Sequence, residues 1–330
     1  MATPLSRRSW LHAACAASLL GSPFSSALAQ AQDWPTKPVR MIVPFPAGTA
    51  PDVVARLLAD KLSQGWKQGV VVENRPGAGA IPGMSAAARA EKDGYTLAFV
   101  PAAAATLTPY LYKNPQYNFD TDFVPVAAVG TSPLMVVVNA SSGIHSLADL
   151  AKAGKAAPGK MNFAAGQLNS LPHLTGEMLS RTGSMSLFTV PYAGSPAAVT
   201  SLLAGDSAMT IDGLPSLVQY VKAGKLRVIA VTSDKRLPGF EDVPAAAETY
   251  KGFEAIGWFG LFAPTGTPAA VVDQINRETN KALQNPDLVR QYADLGIYPR
   301  PGTPAALKEF VVQQQALFRG WIRELGLQAQ

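Results

Sequence analysis

The chain has 330 residues, of which 48% are hydrophobic and 15% charged, enough apolar sequence for one large domain or two ordinary ones. Its formal net charge of +5 comes from scattered basic residues, with no arginine-rich run and no interleaving of basic and aromatic residues. A nucleic-acid binder is thereby excluded, and a mild positive balance suits anionic small solutes instead.

The first segment reads as an address. Arg7 and Arg8 form a charged start, an apolar stretch runs from Leu11 to Leu20, and Ala27-Leu28-Ala29 gives a small-x-small cleavage pattern. The predicted signal covers residues 1–29, with cleavage near Ala29 and a periplasmic destination. Ser6-Arg7-Arg8-Ser9-Trp10-Leu11 fits a twin-arginine export signal and an ordinary secretory signal alike. Cys15 precedes most of the apolar stretch, so lipidation is not expected. Removal of residues 1–29 leaves a chain without cysteine, stabilised by burial and not by disulfides. The apolar stretch is too short to cross a bilayer, which takes roughly 18 apolar residues, and no later run reaches that length.

The elements then alternate. A strand is predicted over Val39–Phe45, a helix from about Pro51 to Trp66, and a strand over Gly69–Glu73. After the turn Asn74–Gly79 come a small-residue helix from about Pro82 to Glu91 and the strand Thr96–Val100. A second passage repeats that order: strand Lys160–Ala164, helix Ser170–Arg181, strand Ser186–Pro191, helix Ala197–Leu203, strand Ala208–Ile211, helix Leu214–Lys222 and strand Leu226–Thr232. The tail from Ala269 is mostly helical, over Val271–Leu283, Pro286–Leu295 and Pro304–Leu325. Such βαβ order implies parallel strands with right-handed crossovers.

The expected fold class is α/β with two lobes, each a mainly parallel sheet flanked by helices. Two extended apolar segments, Leu134–Val138 and Trp258–Phe262, are the expected hinge crossings. The predicted division is 30–133 plus 256–330 for lobe 1 and 134–255 for lobe 2. A single large α/β domain is the alternative.

Two strand-to-helix turns match. Thr49 and Ser170 stand where N-caps belong, Pro51 and Pro172 lie at the same offset, and Asp52 and His173 come three places on. Helix starts carry free N–H groups and partial positive charge, so two facing each other across a cleft suit a carboxylate. Taken singly, each turn merely starts a helix. Ser195 before Pro196 is a third expected cap. Asp212 can serve a ligand or cap the helix near Leu214. The apolar loop Pro101–Ala105, with Thr106 as its first side-chain donor, is expected to form a wall for a hydrophobic or aromatic ligand part. Asp52 and Arg56 are expected as a modest surface pair, and Arg75 as an arginine tying turns or lobe edges together.

Enzymatic readings fare poorly. No Gly-x-Ser-x-Gly elbow, phosphate loop or dinucleotide fingerprint occurs. Ser170 and His173, three residues apart, read as a cap and its neighbour and not as nucleophile and base. No catalytic residue, metal or cofactor is expected.

Several segments together carry a family resemblance: Trp34-Pro35-x-Lys37-Pro38, Ile42-Val43-Pro44-Phe45-Pro46-Ala47-Gly48, Val71-Val72-Glu73-Asn74-Arg75-Pro76-Gly77-Ala78-Gly79 and Asp93-Gly94-Tyr95-Thr96-Leu97. With Val190-Pro191-Tyr192, Gly224-Lys225-Leu226-Arg227 and Ala263-Pro264-x-Gly266-Thr267-Pro268, the chain resembles the Bug receptors. These are the extracytoplasmic solute-binding proteins of tripartite tricarboxylate transporters. The resemblance implies an α/β two-lobe periplasmic binding protein of the type II kind, a hinge-closing receptor without catalysis. Its ligand would be a small carboxylate (dicarboxylate, amino acid or aromatic acid), its partner a tripartite tricarboxylate-type membrane permease, and its state a monomer. A ligand-sensing receptor of a two-component system is the alternative output, and a secreted hydrolase using Ser170 and His173 is the alternative from another class. Carried over by position, the resemblance places Phe45, Ala47, Gly48 and Thr49 on one side of the ligand and Asn169, Ser170, His173 and Asp212 on the other, beside Pro101, Ala102 and Ser195 from the residues alone. Thr49 replaces a glycine common in relatives, and Ala102–Ala105 replace polar residues, which hints at an apolar or aromatic acid.

Overall fold

In a computed structural model of the protein, residues 34–329 are described; the expectations for the export segment lie outside the described residues. The first passage runs β1 (Val39–Val43), α1 (Ala50–Trp66), β2 (Val70–Asn74), α2 (Ile81–Ala88), β3 (Thr96–Pro101), with short helices α3 (Ala102–Thr106), α4 (Thr108–Leu111) and α5 (Phe119–Asp122). The long strand β4 (Phe123–Asn139) follows, then α6 (Leu147–Ala156), β5 (Met161–Ala165), α7 (Leu171–Thr182), β6 (Leu187–Pro191), α8 (Ser195–Ala204), β7 (Met209–Gly213), α9 (Leu214–Lys222) and β8 (Leu226–Val231). The chain ends with α10 (Ala246–Thr249), β9 (Ile256–Pro264), α11 (Ala269–Ala282), α12 (Pro286–Asp294), the short β10 (Tyr298–Pro299) and α13 (Pro304–Glu324).

Pairing divides the strands into two similar sets. In the first, β2, β1 and β3 are parallel, and β9 and then β4 follow antiparallel. In the second, β6, β5 and β7 are parallel, and β4 and then β8 follow antiparallel. Strand β4 belongs to both. Residues 123–133 pair with β9, whereas 134–139 pair with β7 and β8, so the partner changes between Pro133 and Leu134. Ile256, the first residue of β9, sits opposite Pro133. Proline has no N–H for a ladder and is tolerated where pairing ends or bulges; the register slips just after Pro125 as well.

The helices bury one stripe each. In α1, Val54, Leu58 and Leu62 recur four apart and are at most 1% exposed, each contributing roughly 1.5–3 kcal/mol by leaving water. β3 is buried along its whole length, as expected for a strand covered on both faces. Helix α13 spans two cores. Leu307, Phe310 and Val311 enter the cluster around β3 and β9, while Phe318, Trp321 and Ile322 enter the cluster around β5 and α7.

Two expectations are corrected here. The stretch after β3 is not a loop: Ala102–Thr106 is helical, and the Thr106 hydroxyl is fully buried, donating to the Ala102 carbonyl at 2.8 Å. Helix α6 was not predicted, although Ser146 caps it by accepting the Asp149 N–H.

Candidate functional site

Side chains of a strand alternate between faces, and at the crossing this separates two cavities. Ser132 and Leu134 of β4 line a cavity of about 620 Å³; Thr131 and Pro133 line another of about 340 Å³. The larger one gathers the carboxyl ends of β1, β2, β3 and β5 through Phe45, Pro76, Pro101 and the turn Gln167–Ser170. In open α/β sheets ligands bind at such strand ends. The smaller cavity is edged by charged residues, among them Asp234, Arg236, Glu254 and Arg300. Burial and the neighbouring Asp234 raise the Glu254 carboxyl above its ordinary range, against the pull of Arg300.

The turn after β1 is organised by Asp52. Its carboxylate is buried and accepts the Gly48 N–H at 2.8 Å, Asn74 Nδ2 at 2.8 Å, and Arg56 through Nε at 3.0 Å and Nη2 at 2.9 Å. Burial alone would raise its pKa, and the hydrogen bonds from Arg56, Gly48 and Asn74 outweigh that, so it titrates below the ordinary value. The expected pair with Arg56 forms, with the arginine half exposed and the carboxylate itself buried. Asn74 also donates to the Phe45 carbonyl at 3.1 Å, which fixes the β1 end against β2. Arg75, the first residue after β2, pairs with Glu73 of that strand.

Thr49 occupies the N-cap of α1, with extended φ −77° and ψ 162°, but its hydroxyl does not cap the helix. It donates backward to the Pro46 carbonyl at 2.6 Å. Phe45, Pro46 and Pro51 line the cavity; Ala47, Gly48 and Thr49 lie on the same turn without lining it.

At α7 the cap is made as expected. Ser170 Oγ accepts the His173 N–H at 3.3 Å and donates to the Gln167 carbonyl at 2.7 Å. His173 is buried, its Nδ1 accepts the Asn169 N–H at 3.1 Å, and its Nε2 lies 3.6 Å from Glu177. With Nδ1 engaged by a backbone donor and the Ser170 proton directed at a carbonyl, the pair lacks the geometry of nucleophile and base. Asn169 and Ser170 line the cavity, as do Pro101 and Ala102 across from them; His173 stands behind the turn.

Ser195 is not a cap. Gly194, at φ +107° and ψ 166°, takes that place in a conformation that glycine alone adopts freely, and Ser195 is the first helical residue. Asp212 is held at the starts of α8 and α9 by the Gly213 N–H at 2.7 Å and by Ser195 and Ser216. Burial raises its pKa, with those bonds opposing. It does not cap α9, whose N-cap is Gly213. Neither Ser195 nor Asp212 lines the larger cavity.

Wall residues not foreseen as ligand contacts include Tyr112, Ser132, Gln167, Leu168, Trp258 and Phe259. Leu168 carries a local signal, a large apolar residue inside a strand-to-helix turn. Gln167 shares that turn, and the remaining four come from elements brought together only by the fold. Among the described residues no cluster of His, Cys, Asp or Glu could hold a metal, and no helix is long and apolar enough to cross a membrane.

A cleft at the carboxyl ends of two similar strand sets, bridged by crossing strands, defines the class of periplasmic solute-binding proteins. Residues 54–327 match the tripartite tricarboxylate transporter family receptor, and the chain belongs to that family. It is 38% identical over 299 residues to protein BugT of Bordetella pertussis, covering 90% of this chain and 91% of that one. The solved structure described as R. palustris Rpa4515 with adipate superposes with a TM-score of 0.80 at 30% identity, covering 90% of this chain and 100% of that one. The periplasmic binding protein BugD gives 0.76 at 34% identity, with coverage of 90% and 100%. The chain is thus a solute-binding receptor and not an enzyme.

Proposed function

We propose that this receptor captures a small carboxylate in the larger cavity and delivers it to a tripartite tricarboxylate-type permease, working in the periplasm as a monomer after cleavage near Ala29. The observation that carries the reading is the cavity itself, about 620 Å³ beside the crossing of β4 and β9, a size usual for small-ligand sites. Adipate in the Rpa4515 structure supports a carboxylate as ligand.

The two lobes are residues up to 133 with those from 256 onward, and residues 134–255, with the end of α13 docked on the second. Phe45, Pro101, Ala102, Asn169 and Ser170 contact the ligand. Ala47, Gly48 and Thr49 shape the turn on one side. His173, Ser195 and Asp212 hold turns in place on the other. Binding to one lobe followed by closure requires tighter binding in the closed state than in the open one.

A thermal-shift screen with adipate, malate, citrate, glutamate and benzoate tests this. A ligand bound only by the folded state raises Tm in a concentration-dependent way; a folded protein that responds to none of these acids contradicts the reading.

A further inference from the structure

Provided the cleft is a carboxylate receptor, its walls narrow the acid. No Asp, Glu, Lys, Arg or His side chain lines the larger cavity. Among the hydroxyl and amide side chains in the wall, Thr108 and Ser170 are committed, and Tyr112, Ser132, Gln167 and Asn169 are the others. The Thr108 hydroxyl donates to the Gly79 carbonyl at 2.8 Å, and Ser170 Oγ serves Gln167 and His173. At the start of α7, the Asn169 and His173 N–H groups are bonded within the turn and Pro172 has none, which leaves Ser170 and Leu171, both in the wall, as first-turn donors. At the start of α1, the Gly48 N–H goes to Asp52 and the Thr49 N–H to the Pro46 carbonyl, which leaves Ala50 and Asp52 as first-turn donors beside the lining residue Pro51. Donors at the two helix starts suit one carboxylate.

Another part of the wall is apolar, formed by Ala102–Ala104, Leu107 and Leu111. A second carboxylate placed there would lose its hydration with no counter-charge, a costly burial. An apolar body gains from the same surface.

Leu168 adds a second, independent observation. Five large apolar side chains are exposed among the described residues, and Leu168, 49% exposed, is the one that lines the cavity. Its turn is braced: Asn169 takes φ +59°, its N–H is held by His173, and Ser170 ties back to Gln167. A leucine so presented to water at a cleft mouth gains burial only when something apolar fills the cleft.

We infer that the cleft selects an acid with a single carboxylate and an apolar body of aromatic size, and that Leu168 covers that body when the cleft closes. The test is calorimetric titration of the protein and of Leu168→Gln with benzoate, 3-phenylpropanoate, adipate and malate, with methyl benzoate as the uncharged control. One of the two phenyl acids is expected to bind at least about tenfold tighter than either diacid, and Leu168→Gln to weaken it about tenfold, or about 1.4 kcal/mol at 25 °C, at unchanged Tm. Tighter binding of adipate or malate, or an unchanged phenyl acid in Leu168→Gln, overturns this inference and leaves the carboxylate receptor standing. Binding of no acid, or of methyl benzoate as tightly as benzoate, overturns both.

Discussion

The backbone N–H of Leu134 donates to the hydroxyl of Thr232 at 3.0 Å, at the point where β4 passes from one strand set to the other. The same hydroxyl donates to the Ala255 carbonyl at 2.6 Å, immediately before β9 begins. One fully buried side chain thus joins both crossings. Thr232→Val keeps the shape and leaves a buried N–H and a buried carbonyl without that partner. The expected loss is about 1–3 kcal/mol in urea denaturation. A loss under about 0.5 kcal/mol, the range of ordinary surface changes, would remove Thr232 from this role.

Asp52 is the second joint. Asp52→Asn removes the charge that faces the half-exposed Arg56 and is expected to cost about 1–2 kcal/mol. Because the folded carboxyl titrates below its unfolded value of 3.8, its stabilisation is complete above that pH and is lost as pH falls through the lower folded value. The variant should therefore show a shallower loss of stability below about pH 4. Identical acid limbs in both proteins would contradict the assignment.

Asp212 behaves in the opposite sense. Burial raises its folded pKa, so the ionised form at neutral pH is penalised and stability rises as pH falls through the folded value. Asp212→Asn keeps an oxygen for the Gly213 N–H. It is expected to leave stability at pH 7 within about 0.5 kcal/mol or to raise it. A loss like that of Asp52→Asn would show that the charge is needed.

The two turn hydroxyls should separate. Ser170→Ala loses a true cap and is expected to cost about 1 kcal/mol, or roughly 2–4 °C in Tm. Thr49→Ala loses only an exposed bond to the Pro46 carbonyl and should cost less than about 0.5 kcal/mol. Equal losses would mean that Thr49 caps α1 in solution.

Periodicity made the strands and long helices legible, because α1 and β3 declare their burial in their own residues. The alanine run after β3 gave no such contrast between faces, so α3 passed for a loop. Spacing showed that Asp52 and Arg56 could meet on a helix. It could not show that Asn74, 22 positions away, and Gly48 would close over the carboxylate, since that contact exists only once β1 and β2 pair. Ser195 beside proline looked like a cap, but the positive φ of Gly194 moved the helix start by one residue. Local chemistry named the turns on both sides of the cleft, and tertiary pairing decided which of their residues reach it.

Ligand capture inside the larger cavity is tested most directly by filling it. Ala103 lines the cavity and is only partly buried. Calorimetric titration of the wild type and of Ala103→Phe, with whichever screened acid raises Tm most, separates the outcomes. Abolished binding in a variant of unchanged Tm is the expected result. Wild-type affinity in the filled variant would place the ligand elsewhere.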